Sequence, residues 1–262
     1  MANTLYCTYE HFSDLIRMIT SQHIGLKAAI LDTETHTIDG LPIEIAFGGC
    51  DIQNGTLYFD KSNVFDQYYS IGDTKMSIGA MAVHHIVESD LVGMPDYKNF
   101  KLPSEVEYII GHNIQYDITA ITKCEVDTSS LKPICTLSMA RHLWPDLETH
   151  KLEALIYFVF DGSAAARDLL KNAHCASVDI ELTAILLERI IQEADIQNIE
   201  QLYQFSQQSK IWRKIYFGKH RGEDIKDLPV SYVQWLLRQP DLNPDLEAGI
   251  YKFHPNFLTS GT

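Results

Sequence analysis

The sequence predicts an α/β fold: a mixed sheet covered by helices, followed by a small second module. Three observations predict it. Short apolar runs bounded by turn residues fill the first third of the chain. Apolar runs then alternate with segments of helical periodicity up to residue 194. Near residue 195 the composition changes, and a Gln-rich stretch interrupts the pattern. With 262 residues, 45% hydrophobic and 21% charged, the chain has ample core for one large domain and an annex.

Taken in order, Phe12, Leu15, Ile16 and Ile19 stand at helical spacing, so an amphipathic helix is expected over 8–23, within a helical extension over 1–26. Residues 28–31 are an apolar strand ending at Asp32, and 43–47 follow the turn at Gly40, Leu41 and Pro42. Residues 55–60 and 64–71 complete an antiparallel set, punctuated by Asn54 and Gly55. Another strand, 108–110, ends at Gly111, His112 and Asn113, and a helix begins near Tyr116. A short strand over 133–136 precedes helices near 137–143, 151–159, 164–172 and 175–194. The main domain therefore spans 27–194. Residues 195–209 read as a linker or loosely held helix. A C-terminal α+β module, 210–262, holds a Gly222 turn, a helix started by Pro229 and a second after Pro244.

Composition excludes several classes. No apolar run approaches the ~18 residues of a membrane span. The first 26 residues carry Glu10 and Asp14 and lack the basic start and apolar block of a signal peptide, so a cytoplasmic protein with no membrane partner is expected. The five cysteines are scattered and never spaced as CxxC, which supports neither a disulfide framework nor a zinc knuckle. A formal charge of −14 argues against tight non-specific binding to nucleic acid. Acids that hold divalent metal ions nevertheless present a positive face once loaded. Positive charge is also concentrated locally: Lys210, Arg213, Lys214, Lys219 and Arg221 fall in one stretch without an acid.

Three acidic motifs carry the chemistry. Asp32 and Glu34 sit two apart at a strand end, so they share a face, and like charges held together call for a cation. Oxygen-rich sites of this kind suit Mg²⁺ or Mn²⁺. Asp117 follows Asn113 at a strand-to-helix turn, where the helix dipole also favours an acid. His174 and Asp179, five apart, are expected on nearly adjacent faces of one helix, His174 about one turn earlier.

Together these motifs resemble those of the DEDDh exonucleases. That superfamily carries DxET at the end of its first strand, NxxFD at a strand-to-helix turn and HxAxxD on a late helix. Here they read Asp32 to Thr35, Asn113 to Asp117 with Tyr116 in place of Phe, and His174 to Asp179 with Ala176 retained. Within the superfamily the chain is most similar to the exonuclease X group. The matching residues include Ile43 to Ala46, Gly79 to His84, Ile134 to Thr136, Ala140 and Arg141, and the C-terminal Phe217, Gly218, Lys219, Arg221, Gly222, Tyr232 and Trp235. Thr37 stands where that group usually has Gly.

The resemblance implies a ribonuclease H-like fold with a mixed five-stranded sheet, and a metal-dependent 3′→5′ exonuclease acting on DNA ends. It implies that Asp32, Glu34, Asp117 and Asp179 bind two Mg²⁺ ions, with Mn²⁺ as a substitute, and that His174 is the general base. Thr35, Ile38, Asn113, Lys219 and Arg221 are the expected substrate contacts. Ile38 is equally readable as a loop aliphatic, Asn113 as a turn residue, and the basic stretch as solvated charge around a small aromatic core. Glu44, within an apolar strand, would lie near the terminal 3′-hydroxyl. RNA remains an alternative substrate, because nothing in the motifs reads the 2′-hydroxyl. An inactive nucleic-acid-binding module is a further alternative. Protein partners are not legible.

Overall fold

The computed structural model describes residues 26–257; the helix expected over 8–23 lies outside the described residues. Five strands form one mixed sheet: β1 (Ala28–Thr35), β2 (Pro42–Gln53), β3 (Thr56–Tyr68), β4 (Tyr108–Gly111) and β5 (Lys132–Cys135), in the order β3-β2-β1-β4-β5. The first three form an antiparallel meander, and β4 and β5 continue the sheet in parallel from β1. The hairpin between β2 and β3 turns at Asn54 and Gly55, both with positive φ (51° and 77°), as a tight two-residue turn requires. The two strands expected over 55–60 and 64–71 are one strand of 13 residues. A register shift between Gly48 and Cys50 absorbs the irregularity that the sequence suggested was a break.

The described helices are α1 (Ile78–His84), α2 (Gln115–Thr122), α3 (Thr136–Leu143), α4 (Leu152–Val159), α5 (Ala164–Leu169), α6 (Ala176–Glu193), α7 (Ile199–Ser209), α8 (Val230–Leu236) and α9 (Pro244–Phe253). The pleat of β1 sorts its side chains into two layers. Ala28 and Ile30 join Ile180, Ala184 and Leu187 of α6 in one core. Ala29 and Leu31 join Ile114, Phe100 and Ile121 in the other, beneath α2. The fully buried Leu and Ile side chains along α6 stabilise this packing by about 1.5–3 kcal/mol each. α1 was not expected. Its side chains are mostly exposed, with Ile78 exposed at 82%, so no apolar stripe announces it.

The stretch read as a linker or loosely held helix is, over Ile199–Ser209, a helix fixed to the sheet edge. Leu202 and Ser206 of α7 are fully buried. The Cys135 N–H on the outer strand β5 donates to Ser206 Oγ (2.9 Å), and Gln207 Nε2 donates to the Pro133 carbonyl (3.0 Å). An open strand edge exposes backbone groups that need partners, and α7 covers them with polar side chains. Its polar composition misled because two of those polar side chains, Ser206 and Gln207, serve as edge partners.

The C-terminal residues pack a separate small core of Ile215, Ile225, Val233, Leu236, Leu246 and Ile250. The β component expected here is reduced, among the described residues, to one isolated antiparallel bridge between Lys214 and Asp224. α9 lies very close to the start of the module. A Cβ on Gly249 would fall 2.5 Å from the Trp212 carbonyl oxygen, so only glycine fits.

Candidate active site

Asp32 and Glu34 continue the Ala28–Ile30 face of β1, which is the face that α6 covers. Asp179, in the first turn of α6, meets them there, and one carboxylate oxygen from each of the three residues lies within 4.8 Å of the others. The intervening residue Thr33 points to the opposite layer. It donates to Asp117 Oδ1 (2.8 Å) from the buried first turn of α2. The fourth acid therefore approaches the cluster from the other layer, around the end of β1, and is held by a threonine of the motif itself. The approach needs Gly111 at the end of β4, where a Cβ would fall 2.9 Å from the Leu31 carbonyl oxygen.

Burial and mutual repulsion dominate the electrostatics. Burial, then the Asp117, Asp179, Glu34 and Glu44 charges, hold Asp32 well above the usual carboxylate range. Burial, with Asp179, Glu44 and Asp117, pushes Glu34 up to about 9. Asp117 rises to about 7 through burial, although Thr33 opposes the shift. Asp179 rises to about 6 by burial, moderated by the backbone N–H and the side chain of His174. Among the described residues no Lys or Arg forms an ion pair with any of these four acids. An acidic cluster so arranged suits a divalent cation, which would offset the burial and repulsion that raise these groups.

His174 is not on the helix as expected. It precedes α6, whose N-cap is Cys175, in a left-handed conformation (φ 69°). Its backbone N–H donates to Asp179 Oδ1 (3.4 Å), and its half-exposed ring places Nε2 3.1 Å from Glu153 Oε1 of α4. The left-handed turn lets backbone and side chain serve different partners.

The expected substrate contacts are scattered. The Thr35 hydroxyl is taken up by the Thr37 carbonyl (2.7 Å) and the Tyr116 hydroxyl, so it braces the turn after β1. Ile38 is 84% exposed on that turn. Asn113 adopts φ 72° and its carbonyl accepts from Tyr116 N–H (2.9 Å), which is the turn-forming role. Lys219 and Arg221 lie in the C-terminal module, Lys219 near the Tyr232 ring and Arg221 donating to the Glu148 carbonyl. Sequence reasoning missed Glu153 and Thr33. It noticed Glu44 but not its role: the buried carboxylate accepts the Ala176 N–H (3.1 Å) and the Cys175 thiol (3.4 Å), anchoring the start of α6 opposite Glu34. An acid inside an otherwise apolar strand was the available signal; Glu153 offered none.

Sheet order, covering helices and an acidic cluster at the end of the central strand define a ribonuclease H-like exonuclease fold. No family model matches the chain. The DNA polymerase III PolC-type of Listeria welshimeri is 27% identical over 182 residues, which are 66% of this chain and 12% of that protein. The 3′-5′ exonuclease DinG of Staphylococcus haemolyticus is 25% identical over 175 residues, 61% of this chain and 18% of that protein. The chain thus matches only a small part of these relatives. The solved structure of exonuclease X in complex with 5′ overhanging duplex DNA superposes with a TM-score of 0.50 at 25% identity, covering 68% of this chain and 99% of that one. In fold and in the placement of its acidic cluster the chain is similar to 3′-5′ exonucleases.

Proposed function

We propose that the protein is a metal-dependent 3′→5′ exodeoxyribonuclease that releases nucleoside 5′-monophosphates from DNA 3′ ends. The observation that carries the reading is the convergence of Asp32, Glu34 and Asp179 within 4.8 Å in a chain similar to exonuclease X. These three acids, with Asp117 behind them, would hold two Mg²⁺ ions, and Mn²⁺ fits the same oxygen donors. When bound, such a pair stabilises the attacking and leaving oxygens of an in-line displacement at phosphorus. His174 accepts the proton of the attacking water, and the adjacent Glu153 carboxylate steadies the imidazolium so formed. Ile38, exposed on the turn after β1, presents an aliphatic surface to the terminal base. Lys219 and Arg221 add positive charge for phosphates farther along the strand.

The test is degradation of matched DNA and RNA oligonucleotides, single- and double-stranded, labelled at the 5′ end, in Mg²⁺ and in EDTA. The expected result is stepwise shortening of DNA from the 3′ end that EDTA stops. Faster digestion of RNA would change the substrate class and leave the chemistry. No hydrolysis of either by folded protein in Mg²⁺ overturns the proposal.

A further inference from the structure

We propose that the groove between the main domain and the C-terminal module is a track for the phosphodiester backbone of the strand whose 3′ end lies at the carboxylates. This deepens the exonuclease reading and rests on it. The groove has a volume of about 830 Å³ and is lined from one side by His112, Arg141 and the 145–151 segment, and from the other by Lys214, Tyr216 and Arg221.

Arg141 is the first observation. Its guanidinium lies over two rings of the module, 5.0 Å from the Trp212 centroid and 4.4 Å from that of Tyr216. Among the described residues no carboxylate pairs with it. Its Nε is shut off from solvent and hydrogen-bonded to nothing, and burial lowers its proton affinity. A half-buried cation without a counter-ion is costly, and an anion arriving in the groove would relieve that cost. Contact with two aromatic rings set at 72° to each other also restrains the planar fork, which suits phosphate recognition.

Charge is the second observation. The chain carries a formal −14, yet Arg141, Lys151 and Arg221 line one groove without a carboxylate partner among the described residues. Lys214 is differently placed, because Asp146 takes it at 2.6 Å. Position is the third. Lys151 immediately precedes α4, and Glu153 in the first turn of that helix holds His174. One end of the groove lining, Lys151, thus lies two residues along the chain from the partner of the candidate general base. Tyr216 adds a ring at its wall, as single-strand channels combine backbone charge with aromatic faces.

The experiment measures affinity of the full chain for a dinucleotide and a dodecanucleotide of the same DNA sequence, in Ca²⁺ and across a salt series. Lys151→Glu, an exposed position, and Arg141→Gln are compared with the parent. Affinity is expected to rise with length in the parent. Both variants are expected to lose affinity for the dodecanucleotide far more than for the dinucleotide, with a salt slope shallower by about one unit per lost contact. Should Arg141→Gln fail to fold, Lys151→Glu alone decides. Parent-like binding of the dodecanucleotide by Lys151→Glu, or equal losses for both lengths, overturns the track. The exonuclease reading fails by a separate result: no mononucleotide release in Mg²⁺ while the length-dependent affinity stands.

Discussion

Asp179 answers to two demands at once: it joins Asp32 and Glu34, and it accepts the backbone N–H of His174. Asparagine at this position keeps an acceptor for that N–H but removes a charge from the cluster. Asp179→Asn is therefore expected to fold and to lose activity by about 10²–10³-fold or more, the scale of a missing electrostatic stabiliser. Steady-state rates in saturating Mg²⁺ check this; near-parent turnover would remove Asp179 from the metal set. The pair His174 and Glu153 separates chemistry from scaffolding. His174→Ala should lower kcat by about 10²–10⁴-fold in saturating Mg²⁺. Glu153→Gln should cost kcat only about fivefold, since a half-exposed pair is worth about 1 kcal/mol at most, with KM unchanged. A loss confined to KM or to folded yield would make Glu153 a structural residue.

At the scale of elements, β1 divides its motif between two layers by alternation. Asp32 and Glu34 face α6, while Thr33 faces α2 and secures Asp117. A one-residue slip of β1 would send the acids to the wrong layer, and nine backbone partners of β2 in β3, with eight in β1, guard against it. α7 is the other element with a checkable role. Leu202 is fully buried between α7 and the main core, so Leu202→Ala should destabilise by about 2–5 kcal/mol. Urea denaturation measures this, and turnover per folded molecule should hold because α7 carries none of the acids. A loss below about 0.5 kcal/mol, as for an exposed surface position, would return 199–209 to a loosely held segment.

For the whole molecule, the cluster ties stability to pH and to metal. Glu34, Asp117 and Asp179 have folded values of about 9, about 7 and about 6, all above those of free carboxyls near 4. The unfolded chain releases these protons earlier, so the stabilisation present at low pH is lost as pH rises from about 4 to about 9. In EDTA, the melting temperature should fall between pH 6 and pH 9, and Mg²⁺ should restore most of the loss. Asp179→Asn in EDTA should melt above the parent at pH 8, because one repelling charge is gone. Identical melting curves for parent and variant across that range would mean that the carboxylates do not strain one another.

Local periodicity is what the sequence by itself determined. The two-residue spacing of Asp32 and Glu34 specified one face of a strand, and the apolar pattern of 175–194 specified the helix that covers it. The strand that carries Asp32 and Glu34 and the turn at Asn113 were legible because each depends on neighbours a few residues away. Pairings across long separations were decided only by the tertiary structure. Glu153 meets His174 from 21 positions earlier because α4 packs beside the start of α6. His174 precedes the helix in a left-handed turn, and the edge of β5 gives the polar side chains of α7 their partners. Arg141 and the C-terminal rings meet because two cores close on each other. Spacing along the chain fixes the face on which a side chain emerges, whereas its partner depends on which faces can bury each other.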